Sequence, residues 1–494
     1  MRTRLAARQP RRRGKSSAYA PVISCEHGSR HEWDCDLAVF LTVPVSMRWV
    51  RWAVTSEIEY ITNEAEVGLP PLQSSRRTVW NYYRIEFLPH GYPGRRTGDV
   101  LYAHPIYGPY VIADYIAQYR RTKDDVFLEA AKHVTDAAVE QMTPVGDGLA
   151  FLYSQDKTAV SSRSHTFYSG LTQARYVECL KNLVQLPDTE RFQEPLSRVL
   201  KSLLVPAEEG GVARYTDDGG LIIEEYPSLA PDCTLNGWTT ATVILRDYAR
   251  LTGDELGWEI FRKSVRGLER LIPIYDVPEL ANSRYRLTGV ASIQVAAKGA
   301  DLEVVDCEVE MPGSGTFSAK DVRDPAGEAL KSGPRHVADG NAEALVLSLS
   351  RLTWPTPNTV HLTIRASEPG EVMLGIGDGE YSPMSKDLPV SSFRELATVP
   401  VEAGENRVSV AIPWNDAELV SYPTGFGKAL AGRQFNQYHW IHVDTLGKIV
   451  EETGSDILAY YREKWMRYPE KWPEMPQYQD ERITLERFDP KRHK

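Results

Sequence analysis

The stretch Tyr215–Gly237, YTDDGGLIIEEYPSLAPDCTLNG, sets the reading of the chain. It opens on Asp217-Asp218-Gly219-Gly220, a run of turn formers. Leu221-Ile222-Ile223 follows as a hairpin strand. The strand ends on two carboxylates, Glu224 and Glu225, and successive strand residues point to opposite faces, so only one of them can face a given cleft. Tyr226-Pro227 stops the strand. Pro231-Asp232-Cys233-Thr234 marks a helix start, and an amphipathic helix is expected from Leu235 to about Arg250. A carboxylate beside a tyrosine above a helix mouth suits acid–base chemistry, and the same residues also suit a solvated turn.

Outward from this stretch, the apolar period predicts four helical pairs. They run over Pro105–Arg121 with Asp124–Met142, His165–Leu186 with Thr189–Val205, Leu235–Leu251 with Glu255–Ile272, and Phe435–Glu452 with Asp456–Tyr468. Three of the joints are alike: Thr122-Lys123-Asp124, Thr252-Gly253-Asp254 and Thr453-Gly454-Ser455. Helical hairpins cannot bury their apolar faces alone and must stack, for which an α/α toroid is the natural closure and an irregular bundle the alternative. Between the third and fourth pairs the period switches to two. Ala291–Ala297, Leu302–Glu308, Ala344–Leu349, Thr359–Arg365, Glu371–Ile376 and Asn406–Ile412 read as short strands, which suggests a β-sandwich. Trp49–Trp52 and Trp80–Phe87 read as strands nearer the start.

The fold class expected is thus multidomain α+β. A basic, disordered tail is expected over 1–35, and a β-containing region over 36–104. The first part of an (α/α) toroid, carrying the hairpin, is expected over 105–288. An inserted antiparallel β-sandwich then takes 289–424, and the last helical pair with a tail takes 425–494.

Composition narrows the function. The 494-residue chain is 42% hydrophobic and 25% charged, ordinary for a globular protein. Its net charge of −10 argues against bulk nucleic-acid binding, although a local basic cleft could still take an anionic substrate. The 25 Tyr and 11 Trp include rings suited to stacking on sugars. Five widely spaced cysteines suggest no disulfide framework. Cys25, His27, His31 and Cys35 could ligate zinc in principle, but their spacing is not a common one, and the expectation is of no metal and no cofactor. The Arg-rich start has no apolar segment behind it, and Leu37–Val45 is too short to span a membrane. A cytoplasmic protein is the default expectation, and a homodimer is left open.

Four segments then carry a family resemblance. Tyr168-Ser169-Gly170-Leu171-Thr172-Gln173-Ala174, Gly211–Gly237, Ile272-Pro273-Ile274-Tyr275-Asp276 and Gln437-Tyr438-His439-Trp440-Ile441-His442 resemble, in order, motifs of the catalytic region of glucuronyl C5-epimerases. The resemblance covers about 105–288 and 430–468. Those enzymes turn D-glucuronate into L-iduronate within heparan-type chains. The family's upstream β domain is not recognisable in the chain, which departs from the family in two further ways. The β insertion separates Tyr285 from Tyr438, and Arg284-Tyr285-Arg286-Leu287 stands where the family has Tyr-Asp-Leu-Arg.

The resemblance implies an acidic, uronate-containing polysaccharide as partner. It maps Glu225 and Tyr438 to proton transfer with Tyr285 assisting, and Arg284 or Arg286 to the substrate carboxylate. Tyr168, Gln173, Tyr226, Asn236, His439 and His442 are the expected substrate contacts. Physically, inversion at C5 needs acid–base groups on both ring faces and neutralisation of the carboxylate. A tyrosine base would need its pKa lowered from about 10. A uronate lyase, which begins with the same proton abstraction, and a non-catalytic glycan-binding protein are the alternatives.

Overall fold

In the computed structural model eight α-helices follow one another in pairs among the described residues: α1 (Tyr107–Thr122) with α2 (Asp125–Gln141), α3 (Gly170–Leu183) with α4 (Gln193–Ser202), α5 (Leu235–Thr252) with α6 (Glu255–Leu271), and α7 (Gln437–Thr453) with α8 (Asp456–Arg467). The structure describes residues 62–74, 80–81, 83–154, 166–228, 231–311, 315–318, 321–323, 334–340, 345–352, 357–379, 390–412, 424–430 and 433–489. The expectations for the tail over 1–35, the Cys25–Cys35 motif and Trp49–Trp52 lie outside these residues.

The repeated joints share one hydrogen-bonding device. Thr122, Thr252 and Thr453 each donate a hydroxyl to the carbonyl four residues back, and each accepts the N–H of the residue two ahead. That residue caps the next helix: Asp124 accepts from Val126 N, Asp254 from Leu256 N and Ser455 from Leu458 N. The middle residue is left-handed in all three, with φ 60° at Lys123, 71° at Gly253 and 64° at Gly454. One short sequence rule therefore turns the chain back three times.

Packing runs along the first helix of each pair. The α1 helix packs on α3, α3 on α5 and α5 on α7. The last pair joins the third although far from it in sequence, and Arg246 Nη1 donates to the carbonyl of Lys448, 202 residues on, at 2.6 Å. Because α3, α6 and α7 all contact α5, that helix is buried on almost every side rather than simply amphipathic. Two of its interior polar groups pair across to α6, Trp238 Nε1 and Thr242 Oγ1 both meeting Ser264 Oγ at 2.8 and 2.7 Å.

The hairpin forms as its turn residues dictate. Strand β1 (Ala213–Tyr215) pairs with β2 (Leu221–Ile223) in antiparallel register, Tyr215 opposite Leu221. Beyond α6 the chain builds antiparallel sheets from longer strands. These are β3 (Thr288–Lys298), β4 (Leu302–Met311), β5 (Gly315–Ser318), β6 (Asp321–Arg323), β7 (Leu345–Leu352), β8 (Asn358–Ala366), β9 (Gly370–Gly379), β10 (Val390–Val401) and β11 (Gly404–Ile412). One sheet has the order β6-β7-β3-β9-β10, and the other β5-β4-β8-β11 with Arg335–Val337 also paired to β4. Alternate residues of β8 are buried, the mark of a sheet covered on one face.

Two expectations change. Trp80, Asn81 and Tyr83 are helical, and only Glu86–Phe87 of the expected strand pairs, with Pro93 and Gly94. The reason is a local turn: Ile85 N bonds to Trp80 O at 3.2 Å, with Arg84 at φ 50°. Strand β10 is absent from the expectations, since an edge strand carrying Glu395 and Pro400 has no clear alternation. Among the described residues no helix is long and apolar enough to cross a membrane.

Candidate active site

The site grows from the Glu224–Glu225 doublet, whose members separate as strand geometry requires. Glu224 turns inward and is fully buried. Its carboxylate accepts the N–H groups of Asp232 and Cys233 at 3.1 and 2.9 Å, and Arg214 Nε donates to it at 2.8 Å. Burial raises its pKa above the ordinary carboxylate value, and Arg214 opposes the rise. Glu224 thus fastens the loop at the mouth of α5. Cys233 holds φ 52° there, with its carbonyl accepting from Tyr275 Oη at 2.6 Å.

Glu225 faces the other way, against the first turn of α5. A methyl placed on Gly237 would lie 2.1 Å from Glu225 Oε2, so glycine is required where this carboxylate rests. Asn236, beside that glycine, is fully buried, and neither its amide nitrogen nor its oxygen has a hydrogen-bond partner among the described residues. Tyr226 is buried with its ring edge-on to Phe167 at 6.5 Å, and Phe167 stacks on Tyr153 at 5.1 Å.

The segment 284–288 is laced to the loop before α5. Leu235 N bonds to Tyr285 O at 2.9 Å, Leu287 N to Asp232 O at 3.2 Å, and Arg286 Nη1 to Asp232 Oδ1 at 3.2 Å. These bonds set Tyr285 beside the doublet. The Tyr438 ring, from the first turn of α7, meets the Tyr285 ring edge-to-face at 4.9 Å. Both tyrosines are half-buried. Burial raises the Tyr285 pKa well above its usual value. Tyr438, Tyr226 and Glu225 raise it further, and Arg286 lowers it. The expectation of a lowered tyrosine pKa does not hold here: one guanidinium is outweighed by burial and three acidic groups, and Tyr285 rests as a neutral phenol.

Several expected substrate contacts are interior instead. Tyr168 is fully buried and donates to Ser202 O at 2.7 Å. Gln173 spends its amide on Leu149 O and Ser202 Oγ, and its oxygen accepts from Phe151 N. His439 is buried between Ser283 Oγ at 3.0 Å and Trp465 O at 2.9 Å, and His442 Nδ1 meets the same Ser283 hydroxyl at 2.9 Å. Burial holds both imidazoles neutral, lowering His439 to about 4 and His442 well below the ordinary histidine value. Arg284 is buried with Nε on Ile274 O at 3.0 Å, whereas the Arg286 side chain keeps 30% exposure. The atoms named here in Tyr168, Gln173, His439, His442 and Arg284 are therefore held by interior partners.

Two residues escaped the sequence reading. Ser283 joins the two histidines, a role invisible until Ser283 and α7 meet in space. His104 stacks on Tyr107 at 3.8 Å, lies edge-on to Tyr153 at 6.0 Å, and has its pKa lowered by burial to about 3. Nothing in the sequence around His104 marks it. Among the described residues no group of three or more His, Cys, Asp or Glu could hold a metal ion.

Comparison with known proteins relates part of the chain to a family. Residues 148–310 match the family model of the D-glucuronyl C5-epimerase C-terminus. The match takes in Glu225, Asn236, Tyr285 and Arg286 and ends well before Tyr438. An uncharacterized protein of Methanocaldococcus jannaschii is 27% identical over 104 residues, 20% of this chain, and the aligned part spans about a third (34%) of that relative's length. A solved domain of unknown function from Bacteroides vulgatus is 13% identical, covers 26% of this chain and 97% of its own, and superposes with a TM-score of 0.15.

Proposed function

We propose that this chain, whose residues 148–310 match the D-glucuronyl C5-epimerase C-terminus, inverts C5 of D-glucuronate to L-iduronate within a polysaccharide. The observation that carries the reading is the 4.9 Å contact of Tyr285 with Tyr438 beside the Glu225 carboxylate. Three groups able to move or hold a proton meet there from three separate elements, as an inversion with a base on each face requires.

In the reaction the C5–H bond breaks toward a base on one face. Its electron pair moves into the C5–C6 bond and onto the carboxylate oxygens. A proton then reaches C5 from the opposite face. Glu225 and Tyr438 take these two roles, and proton exchange with solvent resets them. Tyr285, held as a neutral phenol, donates a hydrogen bond to the charge that builds on the carboxylate. Arg286 meets that carboxylate, since Arg284 is buried with its Nε spent on Ile274. Asn236 and Tyr226 line the sugar ring. The serial packing of the four helix pairs supports an α/α toroid around this cleft, and the two antiparallel sheets support an inserted β-sandwich.

The test is hydrogen exchange at C5. Incubated with heparosan in deuterated water, the protein is expected to place deuterium at C5 and produce iduronate without chain cleavage. Tyr438→Phe keeps the ring and removes the hydroxyl, and is expected to lower inversion by about 10²- to 10⁴-fold with folding intact. Near-normal inversion by the folded variant makes Tyr438 a packing residue. Unsaturated uronate ends in the product identify a lyase, and binding without exchange a glycan-binding protein.

A further inference from the structure

Arg286 reaches the site already paired. Its Nη1 donates to Asp232 Oδ1 at 3.2 Å, and it keeps 30% side-chain exposure while the Asp232 side chain keeps 7%. The loop is held by more than that carboxylate. Main-chain groups do the fastening: Asp232 N and Cys233 N on Glu224, Leu287 N on Asp232 O, and Leu235 N on Tyr285 O. Glu224, which fastens the same loop, is itself offset by Arg214 at 2.8 Å. Asp232 places a negative charge on the partly exposed Arg286 guanidinium, and it also accepts from Thr234 Oγ1 at 3.3 Å.

We infer that Asp232 is a positioning residue that partly neutralises Arg286 and so weakens the hold on an anionic sugar carboxylate, setting substrate affinity and release. The inference rests on the proposed function above. An approaching carboxylate shares a cation that already has an anion beside it, and it is repelled by that anion. Removing the charge while keeping the hydrogen-bond acceptor leaves Arg286 in place and makes the site more attractive to a uronate. The effect is opposite in sign to a structural defect, which loosens binding.

The experiment measures binding of a heparosan oligosaccharide and of its carboxyl-reduced, neutral derivative. Asp232→Asn is expected to bind the acidic oligosaccharide about five- to tenfold more tightly than the wild type, with a steeper loss of affinity as salt rises. The neutral derivative is expected to show no gain. Asp232→Ser removes the same charge with a different acceptor and is expected to shift binding in the same direction, so the test survives if one variant fails to fold. Folded variants that bind the acidic oligosaccharide no better than the wild type, while the wild type binds it and exchanges C5 hydrogen, overturn this inference alone. A wild-type protein that binds no uronate overturns the proposed function and this inference together.

Discussion

The two walls of the candidate site are fastened differently. On one side, the loop before α5 and the segment bearing Tyr285 are joined by main-chain bonds, Leu235 N to Tyr285 O and Leu287 N to Asp232 O. On the other, α7 brings Tyr438 from 153 positions further along the chain. Its first turn meets the Tyr285 segment through buried side chains: Ser283 Oγ on His439 and His442, and Asn436 Nδ2 on Asn282 Oδ1 at 3.2 Å. Main-chain bonds survive most substitutions, whereas a side-chain joint depends on the identity of each member. The α7 wall is therefore where single changes should move one element of the site against the other.

A change on the first wall has the largest expected effect of those that test this contrast. Gly237→Ala puts a methyl where Glu225 Oε2 lies. The overlap in a buried site should also cost about 1–3 kcal/mol of stability, so exchange is compared on protein that remains folded. The displaced carboxylate should cost roughly 10²-fold in C5 exchange. Exchange at the wild-type rate by the folded variant would mean that Glu225 has room to move without loss.

Ser283→Ala tests the second wall. It leaves the Nδ1 atoms of His439 and His442 without the hydroxyl that joins them, a cost of about 1–3 kcal/mol for each buried group. Denaturant unfolding should register that loss, and exchange should fall because Tyr438 is no longer held against Tyr285. If Ser283→Thr, which retains a hydroxyl, does not recover part of both, the joint is not what fixes α7.

The smallest effect is expected away from both walls. Tyr168→Phe removes the bond to Ser202 O and should cost about 1 kcal/mol of stability, with exchange and its KM unchanged. A raised KM without a stability change would return Tyr168 to the substrate.

The helix joints were legible because they are local. Thr122, Thr252 and Thr453 bond within four residues of themselves, and Asp124, Asp254 and Ser455 cap the helix that follows each. The hairpin was legible for the same reason, since Asp217-Asp218-Gly219-Gly220 needs only its neighbours to turn. The division of labour in Glu224-Glu225 was half legible: alternation separates the two, but only the position of Asp232 and Cys233 shows which one is the fastener. The interior hydrogen bonds of Tyr168, Gln173, His439 and His442 were not legible, because their partners come from elements distant in sequence or from main-chain groups that only the fold brings near.

The sequence by itself determined the turns, the caps, the alternation of the strands and the presence of an acid–tyrosine pair at a helix mouth, since each rests on bonds between near neighbours. Tertiary structure alone decided that Tyr438 meets Tyr285, that Ser283 binds two histidines, and that Arg286 rather than Arg284 keeps its exposure. Those outcomes depend on which helix packs on which, and on where burial leaves a charge without water. Such terms couple residues more than a hundred positions apart, and no local pattern records them.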